Sequence, residues 1–444
     1  MNFTLIERLL ILSVFLFGSH CQGQPQRNSN ASPQAFYKKR VQQYLLKDES
    51  IQDMFAISDS GITLYREVPV VNEKDTKGAK STGVTKKTPP DKLKKEVEYH
   101  LPWKKLDIFK RLVIANPIET YEMYQQQKLP TGAMDVRRPR RFRVQTNNKL
   151  PLKGLRVALD PGHMAGSIDM AKKERKFVDI TLKNGKRLSF FESKLAWYTC
   201  AVLADMLKAK GAEVRLTRKR FDMMALDSTY QQVFDNYKKQ QKKAGKTIKD
   251  WQKWPTFFKK FRKADFIARA DKINQFQPHL TMIVHYNVDG ANAPWDKTTV
   301  QNHSMAFVSG SFMKNELSKP EHRFNFLRLL LTQDIEQSID FSVEVLKAIK
   351  SKLQVPTLPT QNNQPFIDRA CIATSQPGVY ARNLSMARKV YGTLCFIEPL
   401  YQENAKEILK LAKNDYDYQG TKIPKRVVEV AEAYFEGIMA YLKK

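Results

Sequence analysis

Residues 155–163, LRVALDPGH, carry the reading that decides the fold. Leu155, Val157, Ala158 and Leu159 form an apolar run, and Asp160, Pro161 and Gly162 end it with turn chemistry. A buried strand of a parallel sheet ends in this way, and at such ends α/β proteins place their chemistry. The same texture recurs downstream. Between Glu192 and Lys210, apolar residues at Leu195, Tyr198, Val202, Leu203, Met206 and Leu207 have helical spacing, closed by Gly211. AEVRLT (212–217) reads as a strand, FIARADKINQF (266–276) as a helix, and LTMIVHYN (280–287) and SMAFVS (304–309) as strands. Gln333–Leu353 reads as a helix, GTLCFIE (392–398) as another buried strand and Val427–Leu442 as a closing helix. This alternation predicts an α/β domain over 151–444, with a mostly parallel central sheet flanked by helices on both faces.

The chain of 444 residues is longer than one ordinary domain needs, so an appended region is expected. With 42% hydrophobic residues it can bury a sizeable core, which excludes a wholly disordered chain. The net charge of +30 implies attraction to anionic polymers or membranes. No stretch reaches the roughly 18 continuous apolar residues of a membrane-spanning helix, so an integral membrane protein is not expected. Residues 1–21 place charge at Arg8 before the short apolar run Leu9–Phe17 and suit an export signal. Gly18-Ser19-His20-Cys21 is a partial match to a lipoprotein site, which leaves open lipid on Cys21 or ordinary cleavage near Gly23. Periplasm or cell envelope is the expected location.

Residues 22–150 form a basic region of undefined fold with linkers and a net charge of +11. Within it FYKKRVQQYLL (36–46) suits a helix, ITLYREVPVV (62–71) alternates like an edge strand, and Glu73–Lys95 is a polar linker. RRPRRFR (137–143) reads either as a solvated basic face or as a contact for anionic wall polymer or envelope lipid. Inside the α/β domain, residues 220–262 interleave lysines with Phe221, Tyr230, Phe234, Tyr237, Trp251, Trp254, Phe257, Phe258 and Phe261. Such a segment forms either an inserted helical subdomain with its own small core or a lid that touches substrate. Export makes nucleic acid a poor partner.

Cys200, Cys371 and Cys395 are odd in number and lack CxxC spacing, so buried thiols are expected rather than a disulfide framework. His100, His279, His303 and His322 read as satisfied polar residues. His163 and His285 differ, because each ends a strand, and Glu398 ends a third while Glu192 opens the first helix. Two histidines and one or two carboxylates converging at one sheet edge are the ligand set of a catalytic Zn²⁺ site that keeps a position open for water. Asp160 and Asn287 are candidates to orient the imidazoles.

From about Leu152 to Leu442 the sequence resembles the zinc-dependent N-acetylmuramoyl-L-alanine amidases of bacterial cell walls. The likeness rests on Asp160-Pro161-Gly162-His163, Glu192 at a helix head, Thr217-Arg218 with Asp222, Arg269 with Asn274, His285-Tyr286-Asn287, and Glu398 with Asn404. The resemblance implies that His163, Glu192 and His285 bind zinc, that Glu398 is the catalytic carboxylate, and that peptidoglycan is the substrate. It leaves Arg218 and Arg269 as supporting or substrate-contacting candidates, and a protein activator open. The alternative is an envelope protein with this fold that binds peptidoglycan or anionic wall polymer without cutting it. The chain departs from the family pattern at Met164-Ala165-Gly166, in the lengthened stretch Ala171–Ser189, and at Pro399-Leu400-Tyr401 after Glu398. The lengthened stretch is expected to change which stem peptides fit.

Overall fold

The structure is a computed structural model and describes residues 33–70, 93–130, 142–145, 149–249, 253–292 and 295–444, with the side chains of 253–259 excepted. The export segment with Cys21, most of the 73–95 linker, and residues 137–141 lie outside the described residues, as do Trp251 and the side chains of Trp254, Phe257 and Phe258.

The chain opens with helix α1 (Pro33–Arg40), continued by a short wide turn of helix to Leu45, and a three-stranded antiparallel sheet of β1 (Phe55–Ser58), β2 (Gly61–Pro69) and β3 (Leu93–Pro102). The helix expected over 36–46 is present. The edge strand expected over 62–71 is instead the middle strand β2, bonded on both sides, and a register shift at Leu64/Tyr65 blurs the alternation that suggested an edge. The end of the linker, Leu93–Lys95, already belongs to β3. Helices α2 (Leu106–Ala115) and α3 (Pro117–Gln125) complete this region; Asn116 caps the second by accepting from the Glu119 amide, and Pro117 sits where its missing N–H is harmless.

The α/β part runs β4 (Arg156–Pro161), α4 (Ile168–Glu174), β5 (Phe177–Thr181), β6 (Arg187–Phe191), α5 (Glu192–Ala209), β7 (Glu213–Leu216), α6 (Tyr230–Lys243), α7 (Lys253–Phe276), β8 (Leu280–Val284), β9 (Met305–Val308), α8 (Pro320–Leu331), α9 (Asp334–Leu353), β10 (Cys371–Ala373), β11 (Val379–Arg382) and β12 (Leu394–Glu398), before the closing helix Lys425–Leu442. Seven strands make the central sheet in the order β10-β11-β9-β12-β8-β4-β7. β7, β4, β8 and β12 are mutually parallel, whereas β9 meets β12 antiparallel. The fold is thus α/β with a mostly parallel sheet.

Both faces of that sheet are covered, and the two-residue period of the strands shows it. Val157, Leu159, Met282, Val284, Cys395 and Ile397 pack into one core with Leu195 and Leu203 of α5, Val345 and Ile349 of α9 and Tyr434 of the closing helix. Their neighbours Ala158, Ile283, Leu394 and Phe396 point the other way, onto Ala270, Ile273 and Phe276 of α7. Cys200, Cys371 and Cys395 are all free and buried.

The N-terminal region is built into this core. Ile62, Leu64, Leu101, Phe109 and Tyr124 share the apolar cluster of Phe324 and Phe326 on α8. The buried Glu98 carboxylate accepts from Arg323, whose Nη2 lies 2.6 Å away, and from the Tyr124 hydroxyl at 2.5 Å. Arg40 reaches Glu336 and donates to the Leu329 carbonyl at 3.0 Å. Arg40 of this region and Arg323 of α8 thus lock the region to the sheet domain.

Candidate metal centre

The site stands where three neighbouring parallel strands end. Pro161 of β4 lies opposite Val284 of β8, and Val284 lies opposite Ile397 of β12. The next residues in each chain are therefore brought side by side: Gly162 donates to the Val284 carbonyl at 2.7 Å, and His285 donates to the Ile397 carbonyl at 2.9 Å. His163, His285 and Glu398 gather at one edge for this reason. Glu192, first residue of α5, is aimed at the same place from the loop side, and its N–H is held by the Lys176 carbonyl at 3.2 Å.

His163, Glu192 and His285 each offer a ligand atom within 4.8 Å of the others. His163 Nε2 is 3.3 Å from Glu192 Oε2, and His285 Nδ1 is 2.9 Å from Glu192 Oε1, which also accepts the Tyr286 amide at 3.0 Å. Two atoms bound tetrahedrally to zinc at about 2.1 Å stand about 3.4 Å apart, so these separations suit a nitrogen–oxygen donor set around one ion. Glu192 Oε2 is buried with no hydrogen-bond partner among the described residues, an orphan that a cation would satisfy. The residues present fit a zinc ion.

Electrostatics agree. Burial works against charge on His163, but the Glu192 and Glu174 carboxylates overcome it and push the imidazole up to about 9. Burial raises and His163 lowers Glu192, and the net is a carboxylate well below its usual range. Burial depresses His285 to about 4, against its bond to Glu192. Burial first, then the charge of Glu192, pushes Glu398 up to about 8, and its Oε2 has no partner among the described residues. The Glu192 and Glu174 carboxylates draw positive charge to this spot, and a bound cation would take the place of the proton on His163.

Two features hold the histidines. Gly162 is required by close approach: a Cβ there would stand 2.5–2.7 Å from the His285 ring atoms. His163 itself adopts a left-handed backbone, φ 55°, which for a non-glycine residue costs about 1–2 kcal/mol and throws its side chain back toward Glu192. Gly162→Ala is expected to fold but to lower metal affinity at least tenfold, because the His285 ring must leave its place stacked 4.4 Å from Phe396. Calorimetric zinc titration of the variant checks this; unchanged affinity would show that the ring has room.

The other sequence candidates have different work. Neither Asp160 nor Asn287 hydrogen-bonds to an imidazole among the described residues. Buried Asp160 pairs with Arg269 at 3.3 Å and accepts from Thr217, while Asn287 Oδ1 accepts the Val288 amide at 2.9 Å. Arg218 and Arg269, both fully buried, hold the turn by its carbonyls: Arg218 Nη2 donates to Pro161 and Gly162 at 3.2 and 3.1 Å, and Arg269 donates to Pro161 at 2.7 Å and to His163. Asn274 bonds the Lys389 carbonyl at 2.8 Å, and Asn404 caps the turn before Glu407.

The residue that orients His163 is Glu174, 3.4 Å from Nδ1 and buried, at the end of α4 in the lengthened stretch. Sequence reasoning missed it, since nothing in its spacing points to a histidine 11 positions earlier. That stretch folds as α4 and the β5–β6 hairpin. The insertion supplies α6 and the start of α7, and Met224, Tyr230 and Phe234 form a small core with Met164, next to His163 in the chain. A cavity of about 460 Å³ lies there between Ser167, Asp169, Tyr230 and Gln231. Of the remaining histidines, His100, His279 and His322 are hydrogen-bonded as expected, and His303 Nδ1 has no partner among the described residues.

Among the described residues no helix is long and apolar enough to cross a membrane. No family model and no curated protein matches the chain. Solved structures do. The apo N-acetylmuramyl-L-alanine amidase Ami1 of Mycobacterium abscessus is 15% identical over 65% of this chain and 99% of its own, with a TM-score of 0.35. The CwlD amidase of Clostridioides difficile, in complex with the GerS lipoprotein, is 13% identical over 65% and 98%, with a TM-score of 0.37. The catalytic domain of CwlV, an N-acetylmuramoyl-L-alanine amidase from Bacillus (Paenibacillus) polymyxa var. colistinus, is 15% identical over 65% and 98%, with a TM-score of 0.35.

Proposed function

We propose that this protein is a zinc-dependent hydrolase of the amide between N-acetylmuramic acid and L-alanine in peptidoglycan. The observation that carries the reading is the convergence of His163, Glu192 and His285 within 4.8 Å at the strand ends, with Glu398 on the adjoining strand. The motif order of the sequence supplies the substrate class. His163, Glu192 and His285 hold the ion, and Glu174 keeps the His163 ring turned to it. When bound, zinc supplies a Lewis acid and lowers the pKa of a water toward 7. Glu398 would take a proton from the attacking water at its unpartnered oxygen and hand it to the departing alanine nitrogen as the carbon–nitrogen bond breaks. A new carbon–oxygen bond leaves a carboxylate on the lactyl group, and the second water proton makes the freed peptide amine an ammonium.

Such a substrate lies outside the cytoplasm, so the reading goes with export through residues 1–21, whether by cleavage near Gly23 or by lipid on Cys21. Elemental analysis is expected to give about one zinc per chain, and purified peptidoglycan should release stem peptides in a chelator-sensitive way. Zinc without release would favour the second reading, a wall-binding protein, which the net charge of +30 supports. Cosedimentation with peptidoglycan that is lost in salt but survives chelation would then be the expected behaviour.

A further inference from the structure

We infer that Lys176 is a specificity-determining residue that receives a carboxylate on the peptide side of the bond to be cut. The inference rests on the amidase reading and adds a substrate preference to it.

Lys176 lies between α4 and β5, in the stretch where this chain departs from the family pattern. Its backbone is pinned at both ends of the peptide unit: its N–H donates to the Ala171 carbonyl at 3.0 Å and its carbonyl accepts the Glu192 amide at 3.2 Å. The adjoining Phe177 packs edge-on against Trp295 of the loop after His285, ring centres 6.1 Å apart, so the hairpin base is braced across the site. From this base the Lys176 ammonium reaches to 4.0 Å from Glu192 Oε2, the orphan oxygen of the ligand set. Its charge is felt by Glu192, His285, Glu398 and Glu403, so it stands within the field of the whole site.

The two arginines of the turn face inward. Arg218 and Arg269 are buried to 1% exposure or less and donate to the turn carbonyls, and Arg269 also pairs with Asp160 and Asp265. The Lys176 side chain keeps 31% of its surface open, and its pairing with Glu192 is at the limit of an ion pair. With a cation on Glu192, that pairing weakens further, since like charges repel. The ammonium is then a tethered, half-solvated positive charge at the rim of the reacting centre. A peptidoglycan stem offers a matching anion close to the scissile amide: the free α-carboxylate of a D-glutamate second residue, which is neutral when that residue is amidated to isoglutamine.

The test uses two muramyl peptides that differ only in this group, muramyl-L-Ala-D-Glu and muramyl-L-Ala-D-isoglutamine, on the zinc-loaded full chain and on Lys176→Met and Lys176→Arg. Wild type is expected to show a KM about tenfold lower for the acid, K176M to lose that preference by raising KM for the acid alone, whatever change in kcat the two substrates share, and K176R to retain most of it. Calorimetric binding of the product dipeptide L-Ala-D-Glu gives a readout without turnover, and should weaken about tenfold in K176M at unchanged zinc content. A fall in kcat on both substrates with the KM preference for the acid intact would overturn the inference and move Lys176 to the reacting carbonyl. So would a preference that survives in K176M, or a wild type indifferent to the carboxylate. Absence of cleavage of either substrate by zinc-loaded wild type would instead sink the amidase reading, and is distinguishable because the dipeptide titration reports on Lys176 separately.

Discussion

Glu398→Gln is expected to leave the protein folded and zinc-loaded while lowering peptide release by about 10³-fold, the middle of the range for losing a positioned acid–base group. The expectation follows from placement. Glu398 is the last residue of β12, next to β8, yet it is not in the group of His163, Glu192 and His285 that could hold a metal ion. The glutamine amide preserves shape and removes the capacity to accept a proton. Zinc content and denaturation midpoint should match wild type, and only kcat should fall. Loss of zinc in this variant would make Glu398 a ligand and the proposed division of labour wrong; full activity would show that another group carries the proton.

Arg269→Leu is expected to cost about 3–5 kcal/mol of unfolding free energy, because it strips the counter-charge from carboxylates that water cannot reach. Arg269 Nε lies 2.6 Å from Asp265, its Nη1 3.3 Å from Asp160, and both carboxylates are fully buried. Asp265 also accepts the Ala225 amide at 2.7 Å, so the damage extends to the insertion. Because Arg269 holds the His163 carbonyl, the strained turn that presents the imidazole loosens as well, and zinc affinity should drop together with stability. Urea denaturation with zinc titration of the same samples checks both. A variant with the wild-type midpoint and only a raised KM would return Arg269 to contact with substrate.

The likeness between sequence and structure is closest where the determinant is local. The strand ending in Asp160-Pro161-Gly162, the helix from Glu192 stopped at Gly211, and the closing helix are all found within two residues of their expected bounds. Periodicity and turn residues are properties of a few neighbours in the chain, so they are legible without the fold. The N-terminal region was opaque for the opposite reason. Its order depends on pairs such as Glu98 with Arg323, 225 positions apart, and β2 has a place in its sheet only once β1 and β3 have closed on it.

The α/β alternation and the candidate set of His163, Glu192, His285 and Glu398 were legible without the fold, because each of the four sits at an element end that local chemistry marks. The tertiary structure decided their mutual distances, the left-handed turn at His163, the clearance that Gly162 leaves for the His285 ring, and the antiparallel entry of β9. It also decided that Glu174, rather than Asp160 or Asn287, faces the His163 imidazole, and that Arg218 and Arg269 serve the backbone of the turn. These are matters of which groups burial forces together, and a buried carboxylate or guanidinium takes whichever partner the packing leaves within reach.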